Sequence, residues 1–324
     1  MTLTDLAAKV GTSVATVSKA FSGSPEISRE TRERIFDIAK RERCFDKYYK
    51  GPRERRMIAL IFPESESEYY GTQIGILEKE ISKRGADTVI ALTRFDAERE
   101  ARLFRELVYR MKVDGVILAG SGTLIDNPDE IPLVTLSSSD RSAEHSDNIY
   151  VDLKSGVFNL IKLVKEYGHK NVGFIGETLT KSKFETFCSA MRQHGFPVQK
   201  KYVTISDKRF APCGEDCMRM LIERGDVPSV IVAAYDQIAY GAMRYAKAHG
   251  YNIPEDISFV GMDDISVTDY LDVPLTSIHT NIEDVCARVI DLIFKRIDNH
   301  HYRERREIVI TTTLNMRKSL IPKI

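Results

Sequence analysis

From Met57 onward the chain alternates short, continuous apolar runs with longer amphipathic stretches. Met57–Phe62, Thr88–Leu92 and Gly115–Ala119 are runs of this kind, separated by helix-like stretches at about 72–84 and 96–112. Runs that are apolar at every position predict strands buried on both faces, as in parallel sheets covered by helices. The first part of this region is therefore predicted to be a βαβαβ unit.

The same pattern returns after residue 170. Four further runs of strand type follow one another with helices between them: Asn171–Gly176, Tyr202–Ile205, Ser229–Ala233 and Ile257–Gly261. Alternating strands and helices build parallel sheets through crossover connections, so the sequence predicts two sheet units of similar plan.

Two short segments, Ile149–Asp152 and Thr276–Thr280, join these halves, and a helix and a strand follow at about 282–297 and 307–314. We therefore expect three chain crossings between two lobes. The expected segments are 57–151 and 282–308 for lobe 1, and 153–280 and 309–320 for lobe 2. Open sheets of this kind bind ligands at the carboxyl ends of their strands, so side chains from both lobes are expected to meet in a cleft.

The first 46 residues follow a helical pattern. Gly11 supplies a sharp turn between two short amphipathic helices, the first expected to be capped by Thr4 and the second by Ser13. Gly23 and Pro25 end the second helix, and Ser28 starts a third. The residues expected to form the small core are Leu6, Ala7, Val10, Val17, Ala20, Phe21, Ile35, Ile38 and Ala39. This pattern predicts a helix-turn-helix head at 1–46, followed by a link at 47–56 and the core at 57–324.

Positive charge is concentrated in this first part. The whole chain carries 47 Lys or Arg against 47 Asp or Glu, whereas residues 1–56 carry 13 against 8, and residues 40–56 carry 8 against 3. Such an excess favours contact with phosphate groups, although an ordinary solvated charge run also fits the stretch 40–56. No apolar run reaches the roughly 18 residues of a membrane span, and no signal peptide is recognisable, so a cytoplasmic protein without membrane contact is expected.

Neither the cysteines nor any recognised catalytic motif indicates an enzyme or a metalloprotein. The five cysteines are odd in number and scattered, and Cys213 and Cys217, which share a helix face, have no third ligand nearby. The chain contains no G-x-S-x-G elbow, no phosphate-binding P-loop and no H-E-x-x-H zinc helix. We therefore expect no enzymatic activity, no cofactor and no metal.

In the segments Thr16-Val-Ser-Lys19 and Ser28-Arg-Glu-Thr31 the chain resembles the lactose and galactose repressor family of bacterial transcription regulators. The resemblance covers essentially all 324 residues. It implies a helix-turn-helix head on an α/β core that is similar to periplasmic binding proteins. It also implies a DNA-binding regulator, most often a repressor, that acts as a homodimer on a near-palindromic double-stranded DNA operator in the bacterial nucleoid. A small molecule in the cleft, most often a sugar or sugar derivative, would switch operator affinity.

The exposed face of the second helix is the expected reading surface for DNA. Val14 and Ala15 can contact a thymine methyl group, and Lys19 can donate to guanine O6 or N7, with Ser18 on the same face. The hydroxyl residues expected to contact phosphate are Thr4, Ser13, Thr16, Ser28 and Thr31. A small helical bundle that never touches DNA is the alternative interpretation.

The link departs from the family pattern. It is about three residues shorter than in relatives, Gly51-Pro52 would interrupt a hinge helix, and no Leu stands where relatives wedge into the minor groove. Either Tyr48 or Tyr49 replaces that wedge, or the link is extended and binds phosphate. The phosphate contacts in the second interpretation, which we favour, are Lys50, Arg53, Arg55 and Arg56.

For the effector, the resemblance points to residues at a strand end and two helix starts. Asp263 is the expected acceptor for ligand hydroxyls, whereas Asp236 equally fits a helix N-terminus with no ligand role. Tyr235 replaces the usual Asn, and Lys183 stands where relatives usually have Arg, so a bidentate fork becomes a point charge. Lys183 also fits a plain solvated lysine.

Three aromatic residues complete the expected effector site. Phe210, Tyr69 and Tyr70 offer flat faces for a sugar or purine ring, with core packing as the alternative for each. Because the cleft lacks the usual Asn and Arg, control by a protein partner also stays open. A solute-binding or enzymatic α/β protein is a further alternative.

Overall fold

The computed structural model describes residues 1–49, 55–120, 125, 127, 131–137, 146–299 and 304–323. The chain divides into two units, Met1–Arg56 and Met57–Ile324. We call the first unit the head and the second the core.

The head is built from helices α1 (Leu3–Val10), α2 (Val14–Phe21), α3 (Arg29–Arg41) and the short α4 (Phe45–Tyr48). Its core contains the predicted apolar residues, of which only Ile38 is half-buried rather than buried. The rings of Phe21, Phe36 and Phe45 pack against one another with centroids 5.0 to 5.8 Å apart. The periodicity of the first 46 residues is therefore satisfied by one small core.

Two of the three predicted helix caps are confirmed. The Ser13 hydroxyl accepts a hydrogen bond from the Thr16 backbone N–H at 3.0 Å, and Ser28 accepts one from Thr31 at 3.2 Å. The prediction for the first helix is wrong, because α1 is capped by Thr2 and Thr4 lies inside its first turn. Thr2 is favoured because Asp5, three residues further on, accepts a hydrogen bond from its backbone N–H and completes a capping box.

Lobe 1 of the core contains a six-stranded sheet in the order β11-β5-β4-β3-β1-β2. Its strands are β1 (Arg56–Phe62), β2 (Ala86–Leu92), β3 (Gly115–Ala119), β4 (Leu133–Ser137), β5 (Asp147–Asp152) and β11 (Glu307–Thr311). Its helices are α5 (Glu68–Lys83), α6 (Ala97–Arg105), which continues as a π-helical turn over Glu106–Arg110, and α11 (Ile282–Asp298).

Lobe 2 contains a second six-stranded sheet in the order β12-β10-β9-β8-β6-β7. Its strands are β6 (Val172–Glu177), β7 (Val203–Ser206), β8 (Val230–Ala233), β9 (Ser258–Asp263), β10 (Thr276–His279) and β12 (Thr313–Asn315). Its helices are α7 (Leu153–Glu166), α8 (Lys181–Gln193), α9 (Phe210–Glu223) and α10 (Asp236–Ala248). Only the β10–β12 pair is antiparallel among the registers of this sheet's described strands.

The predicted fold class, a helical head on two parallel-sheet lobes, is confirmed. Strand β4 was not predicted, since Leu133–Ser137 is a five-residue run interrupted by Thr135. The strand predicted at 307–314 is in fact two strands, β11 and β12, which belong to different sheets. Both differences affect lobe 1 or the point at which the chain passes from lobe 1 to lobe 2.

The third crossing between the lobes lies at Thr312, later than the predicted border at 308 and 309. Thr311 still pairs with Asp152 in the first sheet, and the Thr312 hydroxyl donates to the Asp152 carbonyl at 2.9 Å. A Cβ at Gly156 would lie 2.3 Å from Thr312 Oγ1, so a residue without a side chain is required where the chain crosses. Among the described helices, none combines the length and the apolar character needed to span a membrane.

Candidate functional site

The outer face of α2 presents small and polar side chains. Val14, Ala15, Ser18 and Lys19 are all exposed, and Val14 retains 41% of its accessible surface. The opposite face of the same helix supplies Val17, Ala20 and Phe21 to the head core. The helix is therefore fixed through one face, while the four predicted base-reading side chains stay accessible.

The five hydroxyl residues predicted to contact phosphate all lie at helix starts. Thr4 is in the first turn of α1, Ser13 and Thr16 begin α2, and Ser28 and Thr31 begin α3. The N-terminus of a helix carries partial positive charge and unpaired N–H groups, which favour phosphate. The predicted phosphate contacts thus coincide with favourable backbone positions.

Lys19, the predicted guanine contact, forms an ion pair with Glu26 in this structure. Both side chains are at least half exposed, so the pair is weak and can be exchanged for another acceptor. The ammonium group is therefore available to a base edge.

The start of the link is part of the head. The Tyr48 hydroxyl donates to the Met1 carbonyl at 2.7 Å, and its ring centroid lies 6.0 Å from that of Phe21. The structure thus does not present Tyr48 as a minor-groove wedge, because its ring is used in packing. Tyr49 is exposed and stacks on Phe45 with centroids 4.8 Å apart.

The predicted phosphate contacts of the link are only partly described. Lys50 and Arg53, together with Gly51-Pro52, lie outside the described residues, whereas Arg55 and Arg56 are exposed. The extended, phosphate-binding link stays a prediction.

A cavity of about 500 Å³ lies between the two lobes at the carboxyl ends of the strands. Pro63 and Glu64 follow β1, Glu177 ends β6, and Asp263 ends β9. The seven residues predicted for the effector all line it: Tyr69, Tyr70, Lys183, Phe210, Tyr235, Asp236 and Asp263. The structure therefore brings all of them together in one cleft, although they differ in what their polar atoms can offer a ligand.

Lys183 and Asp263 form an ion pair inside this cleft. Lys183 Nζ lies 3.0 Å from Asp263 Oδ1 and 2.9 Å from the Ala234 carbonyl oxygen, and 5.7 Å above the Tyr235 ring centroid. The two side chains are only 23% and 17% exposed, so the solvated-lysine interpretation of Lys183 does not describe its position. Any ligand of Asp263 shares this carboxylate with Lys183.

The end of β9 is held in an unusual backbone conformation. Asp263 and Asp264 have φ angles of 95° and 54°, which residues other than Gly rarely adopt. The Asp264 carboxylate accepts hydrogen bonds from Arg317 and Asn315, each at 2.6 Å, and pairs with His279 Nδ1 at 2.8 Å. This network in lobe 2 keeps the turn in place and so positions Asp263 in the cleft.

Asp236 lines the cleft but its carboxylate serves the protein itself. The residue is 1% exposed, its Oδ1 accepts a hydrogen bond from the Ser277 hydroxyl at 2.5 Å, and its Oδ2 accepts one from the Ile265 backbone N–H at 2.9 Å. Burial raises the pKa of Asp236, and the negative charge of Asp263 adds to this effect. A Cβ at Gly261 would lie 1.9 Å from Asp236 Oδ1, so only a residue without a side chain fits beside this carboxylate. These contacts favour the interpretation without a direct ligand role, in which Asp236 fixes the wall behind Asp263.

Tyr235 and Phe210 form one aromatic corner in lobe 2. The Phe210 backbone N–H donates to the Tyr235 hydroxyl at 3.1 Å, and the two rings meet edge to face with centroids 6.1 Å apart. Burial raises the pKa of Tyr235, and an interaction with the Glu177 carboxylate contributes to this shift. The hydroxyl that replaces the usual amide is thus directed towards the start of α9.

Tyr69 and Tyr70 form the opposite aromatic wall, in the first turn of α5. Ser67 caps this helix by accepting a hydrogen bond from the Tyr70 backbone N–H at 3.3 Å. The Tyr70 ring packs against Phe62, with centroids 6.2 Å apart, and so belongs in part to the lobe 1 core. Burial raises the pKa of both tyrosines, so they enter the cleft as neutral hydrogen-bonding groups.

Arg209 is the main cleft residue that sequence reasoning missed. Its guanidinium carbon lies 4.4 Å from the Phe210 ring centroid and 5.4 Å from that of Phe95. Its Nε lies 3.3 Å from Glu177 Oε1, and its terminal nitrogen 3.9 Å from Glu64 Oε1. Since Phe95 and Glu64 belong to lobe 1 and the others to lobe 2, Arg209 connects the two walls of the cleft.

Glu64 and Glu177 were missed as well, although their positions carried a signal. Glu177 is the last residue of β6 and Glu64 lies two residues after β1, which are the strand ends where ligands of such sheets bind. Glu64 accepts hydrogen bonds from the Ser67 backbone N–H at 2.9 Å and its hydroxyl at 2.6 Å. Glu177 is 3% exposed, and among the described residues none donates a hydrogen bond to its Oε2.

The described residues contain no group of three or more His, Cys, Asp or Glu side chains arranged to hold a metal ion. The five cysteines are free thiols, and Cys213 Sγ and Cys217 Sγ are 4.0 Å apart in a buried position.

Comparison with known proteins gives matches to both units. Residues 2–42 match bacterial regulatory proteins of the lacI family, and residues 161–320 match the periplasmic binding protein-like domain. The HTH-type transcriptional repressor PurR of Pasteurella multocida is 26% identical over an alignment 333 residues long. The alignment covers 98% of this chain and 98% of that protein.

Two solved structures extend this likeness. The complex of the transcriptional regulator CelR with cellobiose has a TM-score of 0.67 and 24% identity, and covers 99% of this chain and 100% of that one. The lac repressor dimer bound to operator and the anti-inducer ONPF has a TM-score of 0.70 and 19% identity, with 99% of each chain covered. Both structures therefore share the fold of this chain over nearly its whole length.

Proposed function

We propose that this chain, whose head matches the lacI family of bacterial regulatory proteins and whose core matches the periplasmic binding protein-like domain, is a transcriptional repressor switched by a small molecule in its cleft. The head binds an operator, and the cleft between the lobes binds an effector with several hydroxyl groups, such as a sugar or sugar derivative. The observation that carries this proposal is the accessible face of α2 on a head that is fixed by its own core.

The chemistry of α2 supports contact with base edges. Val14 and Ala15 offer methyl groups to thymine, and Lys19 offers N–H donors to guanine, while helix starts supply phosphate contacts. A single head of this size buries little DNA surface, so two heads on a near-palindromic site are expected. The lac repressor neighbour is a dimer on its operator, and we propose a homodimer for this chain too.

The contents of the cleft support a small-molecule effector. Aromatic rings from both lobes and several carboxylates line a cavity whose volume suits a small ligand. The CelR neighbour holds cellobiose. A ligand that binds one arrangement of the lobes better than another shifts the population of arrangements, and thereby operator affinity.

A regulator of this kind needs no catalytic step. We therefore propose that the protein is not an enzyme and that it acts in the cytoplasm at the nucleoid, where its DNA target lies.

The DNA-binding part of the proposal is tested by selecting bound duplexes from a random-sequence pool with the full-length protein. We expect a near-palindromic consensus. Lys19→Ala is expected to weaken binding to that consensus by about 1–3 kcal/mol and to relax preference at one base pair of each half-site. Lys162→Ala, an exposed lysine of α7, is the matched control. Recovery of unrelated sequences would contradict the proposal, and an unchanged consensus and affinity with Lys19→Ala would remove Lys19 from the reading surface.

The switch is tested on the selected duplex. Sugars and sugar derivatives are added to the complex of protein and duplex, and operator affinity is measured with each compound. We expect at least one of them to change this affinity. Silence of the whole panel, together with a change on addition of a protein fraction, would instead favour control by a protein partner.

A further inference from the structure

We propose that the effector of this cleft carries a protonated amine beside its hydroxyl groups, as an amino sugar does, and that Glu177 accepts its N–H donor. The inference rests on the proposed function and names the ligand class of the same cleft.

The cleft carries an excess of negative charge. Among the described lining residues the carboxylates are Glu64, Glu177, Asp236 and Asp263, and the cations are Lys183 and Arg209. Even with Asp236 neutral, three carboxylates face two cations. A cationic ligand group would reduce this excess of negative charge, whereas a phosphate or carboxylate would increase it.

Both cations of the cleft are already paired with groups of the protein. Lys183 pairs with Asp263 and also donates to the Ala234 carbonyl. Arg209 pairs with Glu177 and Glu64. An anionic ligand would therefore have to compete with carboxylates in a half-buried site, at a cost in desolvation.

Glu177 offers a buried acceptor atom. Its Oε2 has no hydrogen-bond partner among the described residues, while Oε1 faces Arg209, and the carboxylate as a whole also interacts with the Tyr235 hydroxyl and the Thr180 backbone N–H. A buried polar atom without a partner is costly, so a ligand donor at this position contributes to affinity. An ammonium group is a stronger donor to a carboxylate than a hydroxyl group, because the hydrogen bond is charge-assisted.

Three aromatic rings of this cleft lie against cationic groups. Lys183 Nζ lies over Tyr235, and the Arg209 guanidinium lies against Phe95 and Phe210. Cations are attracted by the negative face of an aromatic ring, and the attraction grows when water is excluded. The walls of the cleft are thus suited to a ligand with one positive group and one apolar face.

The experiment is titration calorimetry of the full-length protein with matched pairs of compounds. The pairs are glucosamine with glucose, galactosamine with galactose, and mannosamine with mannose, and glucose 6-phosphate and glucuronate represent anions. We expect one amino sugar to bind at least about tenfold more tightly than its neutral counterpart, as the added charge-assisted hydrogen bond implies, and the anions not to bind.

Variants assign the amine to Glu177. Glu177→Gln keeps the size of the side chain, and is expected to lower affinity for the amino sugar about tenfold more than it lowers affinity for the neutral counterpart. Glu185→Gln on α8, an exposed carboxylate, is the matched control. The N-acetylated form of the same amino sugar removes the charge without any change to the protein, so the test does not depend on the folding of the variant.

The inference is overturned if every neutral sugar binds as well as its amino counterpart, if an anionic compound binds best, or if no amino sugar binds. It is also overturned if Glu177→Gln lowers affinity for neutral and amino sugars equally. The proposed function is judged separately, by the binding of selected duplexes without any sugar.

Discussion

The Lys183 ammonium and the Asp263 carboxylate are an ion pair at the wall of the cleft, with Nζ and Oδ1 3.0 Å apart. Because both groups are mostly shielded from water, neither can be removed without leaving the other partly buried and uncompensated. The pair thus fixes the orientation of the Asp263 carboxylate at the wall of the cleft.

We predict that Asp263→Ala abolishes the response to the effector and leaves operator binding intact. The substitution removes an acceptor for ligand groups and releases Lys183, whereas the head is a separate unit. The measurement is operator affinity with and without the effector. Asp272→Ala, an exposed residue of lobe 2, is the control. A normal response of Asp263→Ala would remove this residue from the site.

We predict that Arg209→Lys weakens effector binding about tenfold, because a point charge cannot both stack between two rings and face two carboxylates. Phe95 and Glu64 from lobe 1 would lose their contact with lobe 2 at this position. The measurement is effector affinity by calorimetry. Arg192→Lys, an exposed residue of α8, should bind as the unmodified protein does. Equal affinities for all three proteins would show that Arg209 is not needed to join the walls.

We predict that Asp236→Asn makes the core less sensitive to rising pH. Burial raises the pKa of Asp236, so the folded state holds the proton more tightly than the unfolded state does. An acid of this kind opposes folding once the pH exceeds its unfolded pKa of about 3.9, and the opposition is complete above the folded pKa. Stability of the variant relative to the unmodified protein should therefore increase with pH.

The measurement for Asp236→Asn is the free energy of unfolding in urea at several pH values from 4 to 8, as a difference between the two proteins. Asp272→Asn, at an exposed carboxylate of lobe 2, is the matched control. A difference for Asp236→Asn that falls as the pH rises would mean that the carboxylate is charged and stabilising.

We predict that Thr2→Ala destabilises the start of α1 by about 1 kcal/mol, as the loss of a helix cap does, whereas Thr4→Ala changes it little. Thr2 donates its backbone N–H to Asp5 and accepts from the Asp5 backbone, but Thr4 is an exposed residue within the helix. Amide hydrogen exchange of α1 in the full-length protein distinguishes the two. Faster exchange in Thr4→Ala alone would restore Thr4 as the cap.

The sequence predicted the elements well, because their signals are local. The caps at Ser13 and Ser28 follow from neighbours three residues away, and runs of strand type identified the strands of lobe 2 within two residues of their ends, apart from β10 and β12. The third crossing between the lobes, at Thr312, could not be predicted from such local signals. A single run of strand type crosses from one sheet to the other, and nothing within the run shows which partner strand each half will meet.

The candidate site was predicted in place but not in detail. The rule that ligands bind at the carboxyl ends of strands, with the resemblance to a known family, led to seven residues that do line one cleft. The state of each polar group depended on partners far away in sequence. Asp236 accepts a hydrogen bond from Ser277, which lies 41 residues later in the chain. Lys183 pairs with Asp263, which lies 80 residues later.

The amino-acid sequence by itself determined the helical head, the two α/β lobes and the face of α2 that stays exposed, since periodicity, caps and turns act over a few residues. Only the tertiary structure decided that Tyr48 packs into the head, that Asp236 is buried, and that Arg209 lies between two aromatic rings and two carboxylates from different lobes. Charge balance and an unpaired acceptor such as Glu177 Oε2 arise when separate strand ends are brought together, because hydrogen bonds and ion pairs depend on distances that sequence spacing does not fix.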